Sequence, residues 1–175
     1  MNINGKHQRT IWVHPTDPKV IQTWDQRKLP HAIEVVDIRT LEDAADAIQS
    51  MVVRGAPLIG VTAAYGMYLK SLVCVQSTFA NELVAAGKHL AQSRPTAVNL
   101  QWAINEQLQA IDDLTDLSEV QQHLFDNANK IADDDVETCR QIGLHGLALI
   151  EKISARKGGE TVNILTHCNA GWLAC

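Results

Sequence analysis

The segment Arg54-Gly55-Ala56-Pro57-Leu58-Ile59-Gly60-Val61-Thr62-Ala63-Ala64 gives the clearest indication of how this chain folds. Pro57 suits the first turn of a helix, where its missing N–H group is no loss. The residues after it are apolar or small, and such a run predicts a helix that packs tightly against other elements. We therefore expect a buried helix that begins near Pro57.

Apolar residues recur at intervals of three and four on both sides of this segment, a spacing that predicts amphipathic helices. One helix is predicted after Thr40, which is a suitable N-cap residue. Two more are marked by residues Phe79 to Leu90 and Leu100 to Ile111. Trp102 falls in the second of these, and we expect it to anchor the core rather than to stack on a ligand.

A fourth and longer helix is predicted from Ser118, which forms a capping box with Gln121. We expect a break in this helix near Gly143 or Gly146, because glycine weakens a helix interior. Its predicted inner face consists of Val120, Leu124, Ile131, Val136, Cys139 and Ile142.

The two ends of the chain have the composition of β-strands. Residues Thr10 to Val13 and Ile33 to Ile38 are rich in β-branched residues. Near the other end, residues Val162 to Leu165 follow a predicted turn at Lys157 to Glu160. A lone strand cannot bury both of its faces, so we expect these residues to begin a second domain and the chain to be the front part of a larger protein. The turns expected between the first two strands are marked by Pro15, Asp17, Pro18 and Pro30.

The predicted organisation has three parts. Residues 1–40 form a β-rich element, residues 41–156 a helical domain, and residues 157–175 the start of a truncated α/β catalytic domain. The predicted fold class is therefore α/β, with only the first strand of the second domain present. In open α/β folds the chemistry lies just beyond the carboxyl ends of the strands, so the residues after Leu165 are candidates for an active-site loop.

The composition excludes several classes of protein. Hydrophobic residues make up 46% of the 175 residues and charged residues 20%, which is typical of a globular protein. A net charge of −5, with Lys and Arg scattered along the chain, argues against a nucleic-acid partner. No apolar run approaches the length of a membrane span. We therefore expect a cytoplasmic protein that has no nucleic-acid or membrane partner.

The cysteines and histidines do not have the spacing of metal ligands. The four cysteines, Cys74, Cys139, Cys168 and Cys175, lie far apart and never as a CxxC pair. This is unlike a structural zinc site or a disulfide scaffold, so free thiols are predicted. Cys74 and Cys139 are expected to be ordinary core or near-surface residues. The seven histidines are scattered, and no metal site is predicted.

The start of the helix at Pro57 is a candidate anion site. Gly55 and Ala56 leave the approach to the helix N-terminus uncluttered, and Arg54 adds a planar set of donors. Backbone N–H groups and the positive end of the helix dipole bind phosphate in many proteins. The alternative is a solvated Arg before an ordinary helix.

The segment Arg94-Pro95-Thr96-Ala97-Val98-Asn99 precedes the helix predicted near Leu100. Pro95 favours an extended conformation at Arg94, and either Thr96 or Asn99 is able to cap the helix. Arg94 would then reach a second edge of an anionic ligand. Taken alone, an Arg-Pro pair is weak evidence for such a role.

The segment Thr166-His167-Cys168-Asn169-Ala170-Gly171 follows the last predicted strand. A thiol at a strand end, beside His167 and a turn rich in N–H groups, is able to have a lowered pKa and to exchange protons near neutral pH. Asn169 and Gly171 would support such a turn. The alternatives are that Cys168 only fills space and that His167 bonds a backbone carbonyl.

These three motifs, in this order, resemble the S-methyl-5-thioribose-1-phosphate isomerase family, which shares its fold with the α, β and δ subunits of the initiation factor eIF-2B and with ribose-1,5-bisphosphate isomerases. The resemblance implies that the second domain is a Rossmann-like parallel-sheet domain. It also implies conversion of 5-methylthioribose 1-phosphate to 5-methylthioribulose 1-phosphate in methionine salvage, by a homodimer, with neither a metal nor an organic cofactor.

The resemblance also implies roles for individual residues. Arg54, Gly55, Ala56 and Arg94 would bind the phosphate or sugar, and Cys168 would be the catalytic acid or base, with His167, Asn169 and Gly171 in support. The family's catalytic Asp lies farther along than Cys175, so this chain is expected to be an incomplete form. The alternatives are a non-catalytic eIF-2B-like regulatory subunit, an isomerase of another 1-phosphorylated ribose, and a helical binding domain.

Overall fold

The computed structural model describes residues 2–3 and 5–167, in which short strands precede a bundle of helices. The strands are β1 (Asn2–Ile3), β2 (Lys6–His7), β3 (Ile11–His14), β4 (Asp17–Trp24) and β5 (Val35–Ile38). The helices are α1 (Leu41–Gln49), α2 (Ala56–Ser71), α3 (Phe79–Ser93), α4 (Val98–Gln109) and α5 (Leu117–Arg156).

Helix α2 is the centre of the bundle, as its composition predicts. Almost every residue from Leu58 to Ser71 is buried, on all sides of the helix. The other four helices pack around it. A helix that is apolar on all sides is stable in water only when neighbours cover it completely, so the surrounding helices are required for α2 to form.

Small residues allow the helices to approach α2 closely. A Cβ atom added to Gly66 would lie 2.9 Å from the Cβ atom of Ala44 in α1. One added to Gly87 in α3 would lie 2.7 Å from Cγ2 of Ile104 in α4. Neither position has room for a larger side chain, because a well-packed core tolerates extra methyl groups poorly.

Gln107 is a buried polar residue that connects three helices. Its Nε2 donates hydrogen bonds to the carbonyl oxygens of Ala64 in α2 (2.8 Å) and Leu124 in α5 (3.0 Å). Its Oε1 accepts a hydrogen bond from Nδ2 of Asn127 at 3.0 Å. Buried polar groups are tolerated when they are bonded in this way, and this side chain sets how α4 lies against α2 and α5.

The helix ends show one expected cap and one unexpected cap. Thr40 caps α1 as predicted, in a capping box that it forms with Asp43. The cap of α5 was predicted at Ser118, which is wrong. The side chain of Asp116 accepts hydrogen bonds from the N–H groups of Ser118 and Glu119, and the helix begins at Leu117. A carboxylate accepts these bonds and also interacts with the helix dipole, so it is the stronger cap.

Strands β3, β4 and β5 form an antiparallel sheet in that order. The sequence predicts β3 and β5, but it marks Asp17 and Pro18 as turn residues, whereas β4 begins there. The pairing shifts register after the pair of Val13 and Ile21, so that His14 pairs with Asp17. Pro18 thus lies within a bulge, where a strand tolerates a residue without an N–H group.

The sheet packs against the helices through one of its faces. Ile11, Ile21 and Ile38 are buried in the same core cluster as α2. The hydroxyl of Tyr68 in α2 donates to the carbonyl oxygen of Pro18 at 3.2 Å. Sheet and bundle therefore share one core.

Helix α5 is continuous through Gly143 and Gly146, so the predicted break is wrong. A glycine in an exposed helix costs about 1 kcal/mol, which a helix of 40 residues can sustain. The second half of the helix extends beyond the bundle. Of the residues predicted for its inner face there, Val136 is half-buried, whereas Cys139 and Ile142 are exposed.

Residues 160–167 contain no strand, which differs from the strand predicted at Val162 to Leu165. Leu165 is 99% exposed. A strand requires a neighbouring strand to pair its backbone groups, and no strand among the described residues lies beside this segment. The parallel-sheet part of the predicted fold class is therefore absent from the described residues.

Cys74 and Cys139 are both free thiols, as predicted. Burial raises the pKa of the Cys74 thiol to about 11. Such a thiol is inert at neutral pH, which agrees with an ordinary packing role. Among the described residues, no helix combines the length and the apolar character needed to cross a membrane.

We expect Gln107→Leu to lower the free energy of unfolding by about 1–3 kcal/mol, because it leaves the Asn127 amide without its partner and removes both contacts to the neighbouring helices. Urea denaturation followed by circular dichroism measures this. Gln109→Leu is the matched control, since Gln109 is exposed in the same helix; it should change stability by less than about 0.5 kcal/mol. Equal effects of the two substitutions would contradict the role assigned to Gln107.

Candidate functional site

The first turns of α2 and α4 lie side by side. A Cβ atom added to Gly60 would lie 2.9 Å from the backbone carbonyl oxygen of Asn99 and 3.5 Å from the Cβ atom of Ala103. Glycine at position 60 thus allows the backbones of the two helices to touch. The structure in this way brings together the Arg54–Pro57 and Arg94–Asn99 segments, which are 40 residues apart in the sequence.

The start of α2 has the features of an anion site. Gly55 is the N-cap residue and has φ of 95°, a conformation that favours glycine. It offers no side chain to cap the helix, so N–H groups of the first turn stay accessible to a ligand. Pro57 lies in this first turn, as predicted. Arg54 is exposed and directly precedes the N-cap residue Gly55.

The start of α4 differs in detail from the prediction. The helix begins at Val98, and its N-cap residue is Ala97, which makes no side-chain hydrogen bond to the helix. The expectation that Thr96 or Asn99 caps the helix is therefore wrong. Because the N-cap position holds an alanine, this second helix N-terminus also keeps its N–H donors for other partners.

Arg54 and Arg94 both keep their guanidinium groups available. Arg94 is half-buried at the end of α3, with φ −149° and ψ 83°, the extended conformation that Pro95 favours. Neither arginine makes a side-chain hydrogen bond or ion pair with another described residue. By contrast, Arg27, Arg39 and Arg140 pair with carboxylates. Two unpaired arginines beside two uncapped helix starts form an arrangement suited to an anion.

A cavity of about 430 Å³ adjoins these helix starts. It is open to solvent, and α2, α4 and α5 each contribute to its wall. Trp102 is 45% exposed in it, so the expectation that Trp102 anchors the core is wrong. The ring has room to cover a bound molecule. The lining residues are Pro57, Val61, Asn99, Trp102, Ile131, Asp134, Asp135 and Thr138.

Two acidic residues of α5, Asp134 and Asp135, line this cavity, and Asp133 precedes them in the helix. Asp134 binds Nζ of Lys130 at 2.6 Å, and Asp133 binds Arg9 at 2.7 Å. These pairs are exposed, in agreement with the prediction of a solvated helix face. Carboxylates repel a phosphate dianion, so the α5 wall does not favour phosphate. Neither Arg54 nor Arg94 is among the residues that line this cavity.

The third predicted motif lies mostly outside the described residues. Cys168, Asn169 and Gly171 are among residues 168–175, which the structure does not describe. His167 is exposed at the end of the irregular segment 160–167 and makes no hydrogen bond with another described residue. The roles of these four residues remain predictions.

The described residues contain no group of three or more His, Cys, Asp or Glu side chains arranged to hold a metal ion. Asn99 and Trp102 were not selected as site residues from the sequence. From the sequence, Asn99 was interpreted only as a possible helix cap, and Trp102 only as a large apolar residue of the core. Their contribution to the cavity depends on the packing of α4 against α2, which no local pattern reveals.

Comparison with known proteins identifies the class to which this chain belongs. Residues 52–174 match the profile of the Initiation factor 2 subunit family. Because the match covers more than half of the chain, the chain belongs to this family. The resemblance inferred from the three motifs is thereby confirmed at the level of the family.

Within this class, the chain is similar to methylthioribose-1-phosphate isomerases. It is 46% identical to that of Desulfatibacillum aliphaticivorans over 100% of this chain and 48% of the relative. It is 48% identical to that of Escherichia coli O45:K1 over 99% of this chain and 46% of the relative. The chain thus spans about half the length of these relatives.

Two solved structures have the same fold. The structure of 5-methylthioribose 1-phosphate isomerase from Pyrococcus horikoshii matches with a TM-score of 0.82 and 34% identity, over 97% of this chain and 46% of that one. The structure of the initiation factor eIF-2B subunit delta from A. fulgidus matches with a TM-score of 0.69 and 34% identity, over 75% of this chain and 38% of that one. The mixed α/β fold is therefore shared by an enzyme and a translation-factor subunit.

We expect Gly60→Ala to displace α4 from α2, because the new Cβ atom would lie 2.9 Å from a backbone oxygen that cannot move alone. Overpacking of this kind costs about 1–3 kcal/mol of stability. The same displacement should weaken phosphate binding, measured by ³¹P NMR line broadening. Gly143→Ala is the control, since nothing lies within 4 Å of the added atom. Unchanged binding by a folded Gly60→Ala protein would show that the contact does not position the site.

Proposed function

We propose that this chain carries the phosphate-binding part of an aldose–ketose isomerase that converts 5-methylthioribose 1-phosphate to 5-methylthioribulose 1-phosphate. The observation that carries the proposal is the junction of two uncapped helix starts, α2 and α4. Each is preceded by an arginine that makes no ion pair with another residue the structure describes. The identity to methylthioribose-1-phosphate isomerases supports this substrate in preference to other phosphorylated sugars.

The two helix starts, with Arg54 and Arg94, are suited to bind the phosphate group of the substrate. In a sugar 1-phosphate, the phosphate on C1 holds the ring closed and must remain attached while the ring opens. Arg54 and Arg94 bind its oxygens from two sides, and N–H groups near Gly55 and Ala56 bind it at the positive end of α2. Such bonds keep the phosphate from leaving and position C1 and C2 for reaction.

The reaction transfers hydrogen from C2 to C1 after ring opening. C2 is oxidised from an alcohol to a ketone while C1 is reduced, so no external oxidant is required. Cys168 acts as the acid or base at the reacting carbons, or stabilises charge there, with His167, Asn169 and Gly171 shaping its turn. An Asp of the kind that the family places beyond Cys175 serves as the second catalytic group. A single group of this type contributes about 10²- to 10⁴-fold in rate.

The proposal includes the setting of the enzyme. Residues 157–175 begin a Rossmann-like domain whose sheet supplies the strand neighbours that Val162 to Leu165 lack here. The isomerase acts in methionine salvage in the cytoplasm as a homodimer. These assignments rest on the resemblance to the isomerases.

A second candidate is a non-catalytic subunit of the eIF-2B type. The similarity to the A. fulgidus subunit favours it, because three quarters of this chain matches that structure. A regulatory subunit would use the same fold without a reactive thiol. Binding at the arginines and reactivity of Cys168 therefore distinguish the two candidates.

We expect the 175-residue chain to broaden the ³¹P resonance of methylthioribose 1-phosphate. Arg54→Gln and Arg94→Gln should each weaken this binding by about tenfold or more, because a hydrogen bond to a charged group contributes about 1.5–3 kcal/mol. Arg39→Gln removes an equal charge away from the site and should leave binding unchanged. Equal weakening by all three substitutions would indicate only long-range attraction and would contradict the proposed cradle.

We expect iodoacetamide at pH 7 to modify Cys168 faster than Cys139, because a catalytic thiol has a lowered pKa. Partial desolvation of the sulfur and the neighbouring Asp135 raise the pKa of Cys139, although the residue as a whole is exposed. Methylthioribose 1-phosphate should slow the modification of Cys168 and leave that of Cys139 unchanged. Mass spectrometry of the tryptic peptides measures both rates. Modification of Cys168 at the rate of Cys139, with no protection by the substrate, would favour the regulatory subunit.

A further inference from the structure

Residues 50–53 connect the end of α1 to the candidate site, and we call them the approach segment. They are followed by Arg54 and by Gly55, the N-cap residue of α2. The approach segment is not helical, so no regular hydrogen-bond pattern fixes its path. The position of Arg54 at the site therefore depends on the individual contacts that hold this segment.

The approach segment contains a residue with strained backbone geometry. Met51 has φ of 62°, a left-handed conformation that residues other than glycine rarely adopt. This conformation commonly ends a helix, where glycine is the usual residue. A methionine stays in it only when the surrounding structure holds it there, and its own side chain is 51% exposed. The backbone contacts on either side of Met51 must therefore hold the segment.

One set of contacts joins the approach segment to the core. The N–H group of Val53 donates to the carbonyl oxygen of Ala47 in α1 at 3.2 Å. The side chains of Val52 and Val53 are buried in the same core cluster as α2. These contacts tie the segment to α1 and to the core, and the carbonyl oxygen of Val52 finds its partner elsewhere in the chain.

The turn after β4 provides the second set of contacts, and we call residues 25–27 the clamp. The N–H group of Gln26 donates to the carbonyl oxygen of Val52 at 3.0 Å. Nη1 of Arg27 donates to Oγ of Ser50 at 3.4 Å. The clamp thus holds the approach segment at two points, one before and one after its left-handed residue.

Asp25 orients the side chain of Arg27 within the clamp. The Asp25 side chain is 4% exposed, and both of its oxygens accept hydrogen bonds. Oδ1 accepts from the backbone N–H group and from Nε of Arg27, at 3.0 and 2.8 Å, and Oδ2 accepts from Nη2 at 2.7 Å. Paired bonds of this kind fix the plane of a guanidinium group, so that Nη1 remains for Ser50. The hydrogen bond from Arg27 is the main reason that the pKa of Asp25 is below its usual value.

We propose that Asp25 and Arg27 are positioning residues for phosphate binding, because they hold the approach segment in the conformation that presents Arg54 to the phosphate. This inference rests on the function proposed above and names residues on which its phosphate site depends. Neither residue is itself a phosphate ligand, since the guanidinium group of Arg27 is already bonded to Asp25. Hydrogen bonds weaken steeply when their geometry is lost, so release of the clamp should lower the affinity for phosphate.

The sign of a charge change separates positioning from electrostatic attraction. Asp25→Asn removes a negative charge, and this removal alone should strengthen the attraction of an anion. Weaker phosphate binding by the variant would therefore have the opposite sign to the charge effect. It would report the loss of the clamp.

Titration of the 175-residue chain with methylthioribose 1-phosphate, followed by ³¹P NMR, tests the inference. Asp25→Asn should raise the dissociation constant by about fivefold. Arg27→Lys should do the same, because it keeps the charge but loses the planar set of donors that binds both carboxylate oxygens. Asp37→Asn is the matched control, since Asp37 also pairs with an arginine two residues later, at 2.6 Å. Its affinity for the phosphate should not fall.

A double-mutant cycle tests whether the clamp acts through Arg54. In an Arg54→Gln background, Asp25→Asn should change the dissociation constant by less than about twofold, because the residue that it positions is gone. In an Arg94→Gln background the effect of about fivefold should remain, because Arg94 reaches the site from the end of α3. Equal weakening in both backgrounds would overturn the inference.

Circular dichroism and urea denaturation show which variants are folded under the conditions of the titration. A clamp with a purely structural role would lower the free energy of unfolding and leave the affinity of the folded protein unchanged, which would also overturn the inference. If Asp25→Asn does not fold, Arg27→Lys decides the question, because the Arg27 side chain is half-exposed.

The same titrations distinguish failure of this inference from failure of the proposed function. If Arg54→Gln and Arg94→Gln weaken binding but the clamp variants do not, the phosphate site stands and only the positioning role is wrong. If neither arginine variant weakens binding, the phosphate site is wrong and the positioning role is overturned with it.

Discussion

The complete burial of α2 is the constraint on which the rest of this structure depends. A helix that is apolar around its whole circumference cannot face water, so its formation requires the four neighbouring helices to be in place. Small residues such as Gly60 and Gly66 give those neighbours close access. Gln107 then fixes α4 and α5 against α2 through bonds to backbone oxygens. Folding of the bundle is therefore expected to be cooperative, because no helix covers α2 alone.

The same constraint builds the candidate site. Because α2 and α4 touch at Gly60, their first turns lie side by side, and each turn lacks a side-chain cap. The unsatisfied N–H groups of a helix start normally find a side chain or water. Here two sets of donors, with Arg54 and Arg94, are left for a ligand. The starts of α1 and α5, in contrast, are capped by the side chains of Thr40 and Asp116.

The cavity beside the two helix starts is lined by residues of α2, α4 and α5. Pro57 and Val61 line it from α2, and Asp134 and Asp135 line it from α5, whereas Arg54 and Arg94 are not among its lining residues. Trp102 of α4 also lines the cavity and is half exposed. Because Arg54 and Arg94 do not line this cavity, the anion site proposed for them does not include its acidic wall, and salt screens repulsion between exposed charges.

The sequence by itself determined the helices, the strands β3 and β5 and the motifs at the two helix starts, because periodicity and Pro or Gly positions are local properties. The sequence did not predict β4, because Pro18 usually indicates a turn, whereas here a bulge accommodates it within a strand. It also misplaced the cap of α5. Only the tertiary structure decided that Gly60 lets two distant segments meet, that Trp102 faces a cavity and that half of α5 extends past the bundle. Those features depend on which surfaces pack together, and the physical reason is that packing joins residues far apart in the chain, whereas a sequence pattern reports only neighbours.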